Sequence, residues 1–157
     1  MKEGIKIDVI DRRQFVLGST AVAAVTAYLG LGGNSAHANT WQDAMKAVVG
    51  DSKPTDGKIS LELPEIAENG NTVPFNISIA SPMSENDYVK SVHIFASGNP
   101  RPDVTSFEFT PLSGKAEVSS RMRLSKTQDV IAVAQMSDGK YYMGKRTVKV
   151  TIGGCGG

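Results

Sequence analysis

From Lys58 onward the chain keeps a period of two. Ile59, Leu61 and Leu63 alternate with polar residues, and so do Val73, Phe75, Ile77 and Ile79. A two-residue repeat sends every second side chain to the same face, which suits a half-buried strand and argues against an amphipathic helix. Residues 88–96, 105–109 and 116–124 carry further β-rich patterns. Residues 129–136 form a nearly continuous apolar run, as a central strand would, and Val148, Val150 and Ile152 alternate again. Turn signals lie between these runs: Glu68-Asn69-Gly70-Asn71, Asn99-Pro100-Arg101-Pro102, Pro111-Leu112-Ser113-Gly114 and Ser137-Asp138-Gly139-Lys140. About seven short strands at this spacing predict an all-β fold, an immunoglobulin-like antiparallel β-sandwich. The chain has a single cysteine, so contact between apolar faces, not a disulfide, must hold the sheets together.

One short helix precedes the strands. Thr40 is a good N-cap, Gly50 a good stop, and Trp41, Ala44, Met45 and Val48 fall on one helical face. Trp41 is expected to pack on the sandwich, and residues 51–57 read as a loop.

The first 38 residues read as a leader. Arg12 and Arg13 stand before Phe15 and a mildly apolar run to Leu31, and Ala36-His37-Ala38 places small residues where a signal peptidase reads, predicting cleavage before Asn39. Ser19, Thr20, Thr26 and several glycines interrupt the run, which makes it a poor permanent membrane span. The arginine pair resembles a twin-arginine export signal, which implies passage in the folded state to the periplasm. Residues 39–152 are then the sandwich with its helix, and residues 153–157 a separate tail.

The leader holds four of the 17 Lys and Arg residues and three of the 16 Asp and Glu residues, so the mature charges balance. No basic field remains to attract nucleic acid or anionic lipid. His93 is then the one histidine left, and one His with one Cys cannot build a transition-metal site. No Cys-x-x-Cys-His haem attachment occurs either, so no cofactor is expected and any electron transfer must take place on a partner.

The tail is the candidate site. Gly153, Gly154, Gly156 and Gly157 surround Cys155. Glycines without apolar neighbours to bury predict a flexible arm, with a reach of roughly 13–14 Å when extended. Such an arm could carry a thiol off the surface into another protein's cleft. A terminal Gly-Gly activated as in ubiquitin-like proteins would need ATP and a cytoplasmic setting, and prenylation signals place the cysteine fourth from the end. A frayed tail without function and an intermolecular disulfide are the remaining alternatives. The second of these would make the protein an exported binding module. Other candidates are weaker. Glu65 and Glu68 read as solvated loop carboxylates, and His93 as a half-buried strand residue. Arg121 and Arg123 share one sheet face that could meet an acidic partner or an anion.

The chain resembles the SoxY family, the sulfur-carrier subunits of the thiosulfate-oxidising Sox system. The resemblance runs through the leader and nearly all of the mature domain. It is carried by Leu63-Pro64-Glu65-Ile66-Ala67-Glu68-Asn69-Gly70-Asn71 with Val73-Pro74, by Ser81-Pro82-Met83, by Asn99-Pro100-Arg101-Pro102 and by Gly153-Gly154-Cys155-Gly156-Gly157. It implies a heterodimer with SoxZ and a thiosulfonate or sulfane adduct held covalently on Cys155. It also implies that partners act on that adduct: a c-type cytochrome, the hydrolase SoxB and, where present, a sulfur dehydrogenase. The chain would be a carrier and not itself an enzyme. A free thiol titrates near 8.5, so only about 3% is thiolate at pH 7, and the carrier should need a partner's cleft to become nucleophilic.

Overall fold

The computed structural model describes residues 40–154. The described residues open with α1 (Trp41–Val49), followed by nine strands: β1 (Thr55–Asp56), β2 (Ile59–Glu62), β3 (Ile66–Asn69), β4 (Val73–Ile79), β5 (Val89–Ala96), β6 (Asp103–Glu108), β7 (Ala116–Met122), β8 (Gln128–Met136) and β9 (Tyr141–Ile152). The larger sheet runs β1-β9-β8-β5-β6, with β3 also paired to β9, and the smaller runs β2-β4-β7.

The helix forms where its signals placed it. Asp43 N–H donates to Thr40 Oγ1 and Thr40 N–H donates back to Asp43 Oδ2, each at 3.3 Å, which satisfies amides that a first helical turn leaves without partners. Gly50, at φ 61°, closes the other end with an N–H bond to Lys46 O of 2.8 Å.

Each of the seven expected strands is present. β4 alternates buried and exposed along its whole length, and its partners β2 and β7 lie antiparallel on either side. β8 explains its own continuous apolar run. Val130, Ala132, Ala134 and Met136 face the smaller sheet and join the main core around Phe75, Ile77 and Ile94. Ile131 and Val133 face the other way and, with Phe95 of β5, pack under Trp41, Ala44, Met45 and Val48 of α1. β8 is therefore buried on both faces, so no polar alternation is required of it. Each fully buried Val, Ile or Met side chain among these contributes about 1.5–3 kcal/mol. Tyr141 Oη donates to Val48 O at 3.3 Å and ties the helix to the sheet.

Two expectations need correction. The described residues contain nine strands, not about seven, and the pairing is not antiparallel throughout. Thr55 and Asp56 run parallel to Tyr142 and Met143, while Ile66, Ala67 and Asn69 run parallel to Lys149, Val150 and Ile152. Both additions are short and mostly exposed, so neither could show alternation. They can lie parallel to β9 because long stretches of chain separate them from it. They pair with the two ends of the edge of β9 that faces away from β8.

Candidate functional site

Cys155, Gly156 and Gly157 lie outside the described residues, as do Arg12 and Arg13 of the leader. The described chain ends with Gly153 and Gly154, and their placement differs from what a glycine run suggests. Gly154 is buried, and its N–H donates to Leu124 O at 2.9 Å. Gly70, at the turn after β3, completes the contact: its N–H donates to Ile152 O and its carbonyl accepts from Leu124 N–H, both at 2.8 Å.

Each of the three glycines lies too close to another stretch of backbone for any side chain. A Cβ on Gly70 would be driven onto the Leu124 carbonyl and stand 2.6 Å from Gly154 N. One on Gly153 would strike the Ser125 carbonyl, and one on Gly154 would meet Gly70 O at 2.7 Å. Glycine is required here for proximity, not for freedom.

The loop 123–127 that receives the tail is itself fixed by a buried polar cluster. Asn99 Nδ2 donates to Arg123 O at 2.9 Å, and Asn99 Oδ1 accepts from Ser125 N at 3.0 Å and from Gln128 Nε2 at 2.8 Å. Gln128 Oε1 accepts from Gly98 N at 2.6 Å, and Ser125 Oγ donates to Gly98 O at 2.9 Å. Thr127 Oγ1 accepts from Val150 N of β9 at 3.0 Å. No buried side-chain polar atom among the described residues lacks a partner, as a rigid support requires.

The alternation of Val148, Val150 and Ile152 would put all three on the core face, but β9 does not anchor the tail that way. Val148 is buried and Val150 partly so, but Ile152 is 67% exposed. Beyond Val150 the hold passes from side chains to backbone: Asn69 alongside Ile152, then Gly70, then Leu124.

The other sequence candidates are scattered. His93 sits in mid-β5 opposite Val133 and Ser106, with Nε2 3.4 Å from Ser91 Oγ. β8 separates its strand from β9, so it takes no part in the root of the tail. The side chains of Glu65 and Glu68 are exposed, and the stretch serves through its backbone, Glu65 O accepting from Lys149 N at 2.9 Å. Arg121 and Arg123 line an open cleft of about 320 Å³ with Arg101, Asp103 and Asn99, next to the tail-bearing loop. Among the described residues no group of three His, Cys, Asp or Glu side chains converges as metal ligands would, and no helix is long and apolar enough to cross a membrane.

Sequence reasoning took Gly70 and Asn99 as turn residues only. Their role depends on Leu124 and Gln128, which are distant in the chain, so no local pattern shows it. The available signal was their place in stretches that already marked the resemblance.

Fold and root together define a class: a small two-sheet β domain that seats the backbone of its own C-terminal segment in a fitted groove. Residues 45–155 match the family described as sulfur oxidation protein SoxY. The fold is also similar to the sulfur carrier protein SoxY from Chlorobium limicola f thiosulfatophilum, with a TM-score of 0.61 and 38% identity over 73% of this chain and 99% of that one. This chain belongs to the SoxY family. Superoxide reductases share the fold alone. That of Ignicoccus hospitalis gives a TM-score of 0.53 at 15% identity, covering 60% of this chain and 80% of its own. A putative one from Thermotoga maritima gives 0.52 at 16%, covering 63% and 93%. Among curated proteins none matches.

Proposed function

We propose that this chain is a covalent sulfur carrier whose Cys155 holds the intermediates of thiosulfate oxidation while partner enzymes act on them. The observation that carries this reading is the family match, which extends to residue 155 and so takes in the lone thiol. On this reading residues 1–38, with Arg12 and Arg13, direct export by the twin-arginine route, and the mature immunoglobulin-like sandwich works in the periplasm bound to SoxZ.

The chemistry divides between carrier and partners. Cys155 Sγ and the sulfane sulfur of thiosulfate form a disulfide-type bond. The thiol proton is released and a c-type cytochrome accepts two electrons. Water, in the cleft of the hydrolase, then attacks the outer sulfonate sulfur. Sulfate and a proton leave, and a persulfide remains on Cys155 for a sulfur dehydrogenase where one is present. The carrier contributes the attachment point and its placement.

Intact-mass measurement on the full chain, incubated with thiosulfate and the oxidising partner, tests this directly. The expected result is a reductant-sensitive thiosulfonate addition that falls to background in Cys155→Ser without loss of folding. A dimer mass alone would favour the disulfide-linked binding module. A Cys155→Ser chain that still supports full thiosulfate oxidation removes the carrier reading.

A further inference from the structure

The socket at the end of β9 is assembled from distant parts of the chain. Gly70 after β3 and Gly153-Gly154 after β9 converge on loop 123–127, which Asn99 after β5 supports. The contact is fitted from both sides, because neither the socket nor the tail has room for a Cβ. It closes on the residue immediately before the thiol. Gly154 is thus a backbone point that the domain fixes, and the Cα of Cys155 is one peptide step of about 3.8 Å from it.

We propose that Gly70 is a positioning residue for the carrier cysteine, and that with the Asn99-supported carbonyls of Leu124 and Ser125 it seats Gly153 and Gly154 so that the chain leads to the thiol from a fixed point of the domain. The proposal rests on the carrier reading and refines it. A tail pivoting at Gly153 would sweep the thiol through a volume set by two further residues, each adding up to about 3.5 Å of reach. Seating those residues removes that freedom before a partner arrives, so less entropy is lost when the thiol enters a narrow cleft. The seat adds nothing to the nucleophilicity of sulfur; it restricts where the sulfur can be.

Gly70→Ala forces the seat open, and Gly153→Ala does so from the tail side, at a position on which the core does not depend. Two measurements on the full chain read the result: hydrogen exchange at the Gly154 amide, and the steady-state loading of Cys155 by the oxidising partner with carrier as the varied substrate. In the unaltered chain the Gly154 amide should be protected. In either variant that protection should fall about fivefold or more, the worth of one net hydrogen bond. kcat should fall by a similar factor while KM for the carrier holds, because the docking surfaces are intact. Alkylation of Cys155 by iodoacetamide, which needs no cleft, should change less than about twofold.

An unprotected Gly154 amide in the unaltered chain overturns the proposal. So does lost protection with unchanged kcat, since the socket would then be structural only. If Gly70→Ala does not fold, Gly153→Ala decides between these outcomes through the same two measurements. Failure of the unaltered chain to load at all is seen before any variant is made, and it removes the carrier reading instead.

Discussion

The two ends of the sandwich use glycine in opposite ways. At the β8–β9 turn, Gly139 has φ 82° and nothing within 4 Å of where a Cβ would stand. It is there because the backbone must enter the left-handed region. At the other end Gly70, Gly153 and Gly154 have no positive φ, and each lies against a foreign backbone. The same missing atom serves conformation at one end and contact at the other, so a glycine-rich stretch cannot be equated with looseness until its neighbours are known.

Asparagine should separate the two ends most sharply, because it tolerates the left-handed region but still carries a Cβ. Gly70→Asn is expected to cost about 2–3 kcal/mol through overpacking. Gly139→Asn should cost less than about 0.5 kcal/mol, since the conformation suits it. Urea denaturation of both variants measures the difference, and equal losses would erase the distinction between the ends.

Next in size is Asn99→Ala, which removes two hydrogen bonds from the tail-bearing loop and a third from Gln128 of β8. A loss of about 1–3 kcal/mol is expected. Amide exchange should accelerate in residues 123–127 but not in residues 137–140; acceleration at both ends would mean that the socket is not a local unit.

Gly139→Ala tests the reverse direction. Strain in the left-handed turn should cost about 1 kcal/mol while leaving Gly154 exchange unchanged. A change at Gly154 would show that the two ends communicate along β9.

The smallest effect is electrostatic. Thr147 Oγ1 donates to Asp129 Oδ1 at 2.6 Å and Lys145 Nζ stands 3.5 Å from Oδ2, so the carboxyl of Asp129 titrates below its ordinary value, the Thr147 bond being the larger cause. Because the folded pKa is depressed, this contribution to stability is present above the unfolded value near 3.9 and is lost as pH falls through the folded one. Carboxyl titration followed by NMR should show Asp129 moving up towards the ordinary value in Thr147→Val. The tail root should be unaffected by pH across the same range, since the bonds that hold it among the described residues are between backbone groups.

Local signals were sufficient where structure depends on neighbours in sequence. The helix could be read from Thr40, Gly50 and its apolar face, and seven strands from alternation or from a double-sided apolar run. β1 and β3 could not, because two exposed residues, or four with only Ala67 buried, leave no periodic trace, and what makes them strands is β9 arriving much later in the chain. At the site, the cysteine and its glycines were evident, but what Gly153 and Gly154 contact was not. Ser125, Leu124 and Gly70 reach them only through the completed sheet. Ile152 shows the same limit from the other side: it keeps the alternating pattern, yet it projects past the edge of the core and is exposed.

β9 follows in the chain every strand it joins, and it is the seam of the larger sheet, bonded to β8 along one edge and to β1 and β3 along the other. While a ribosome still encloses residues 141–154, β1 and β3 have no strand to join and loop 123–127 has no tail to receive. The emergence of this one strand therefore allows the sheet to close and the tail to be seated together.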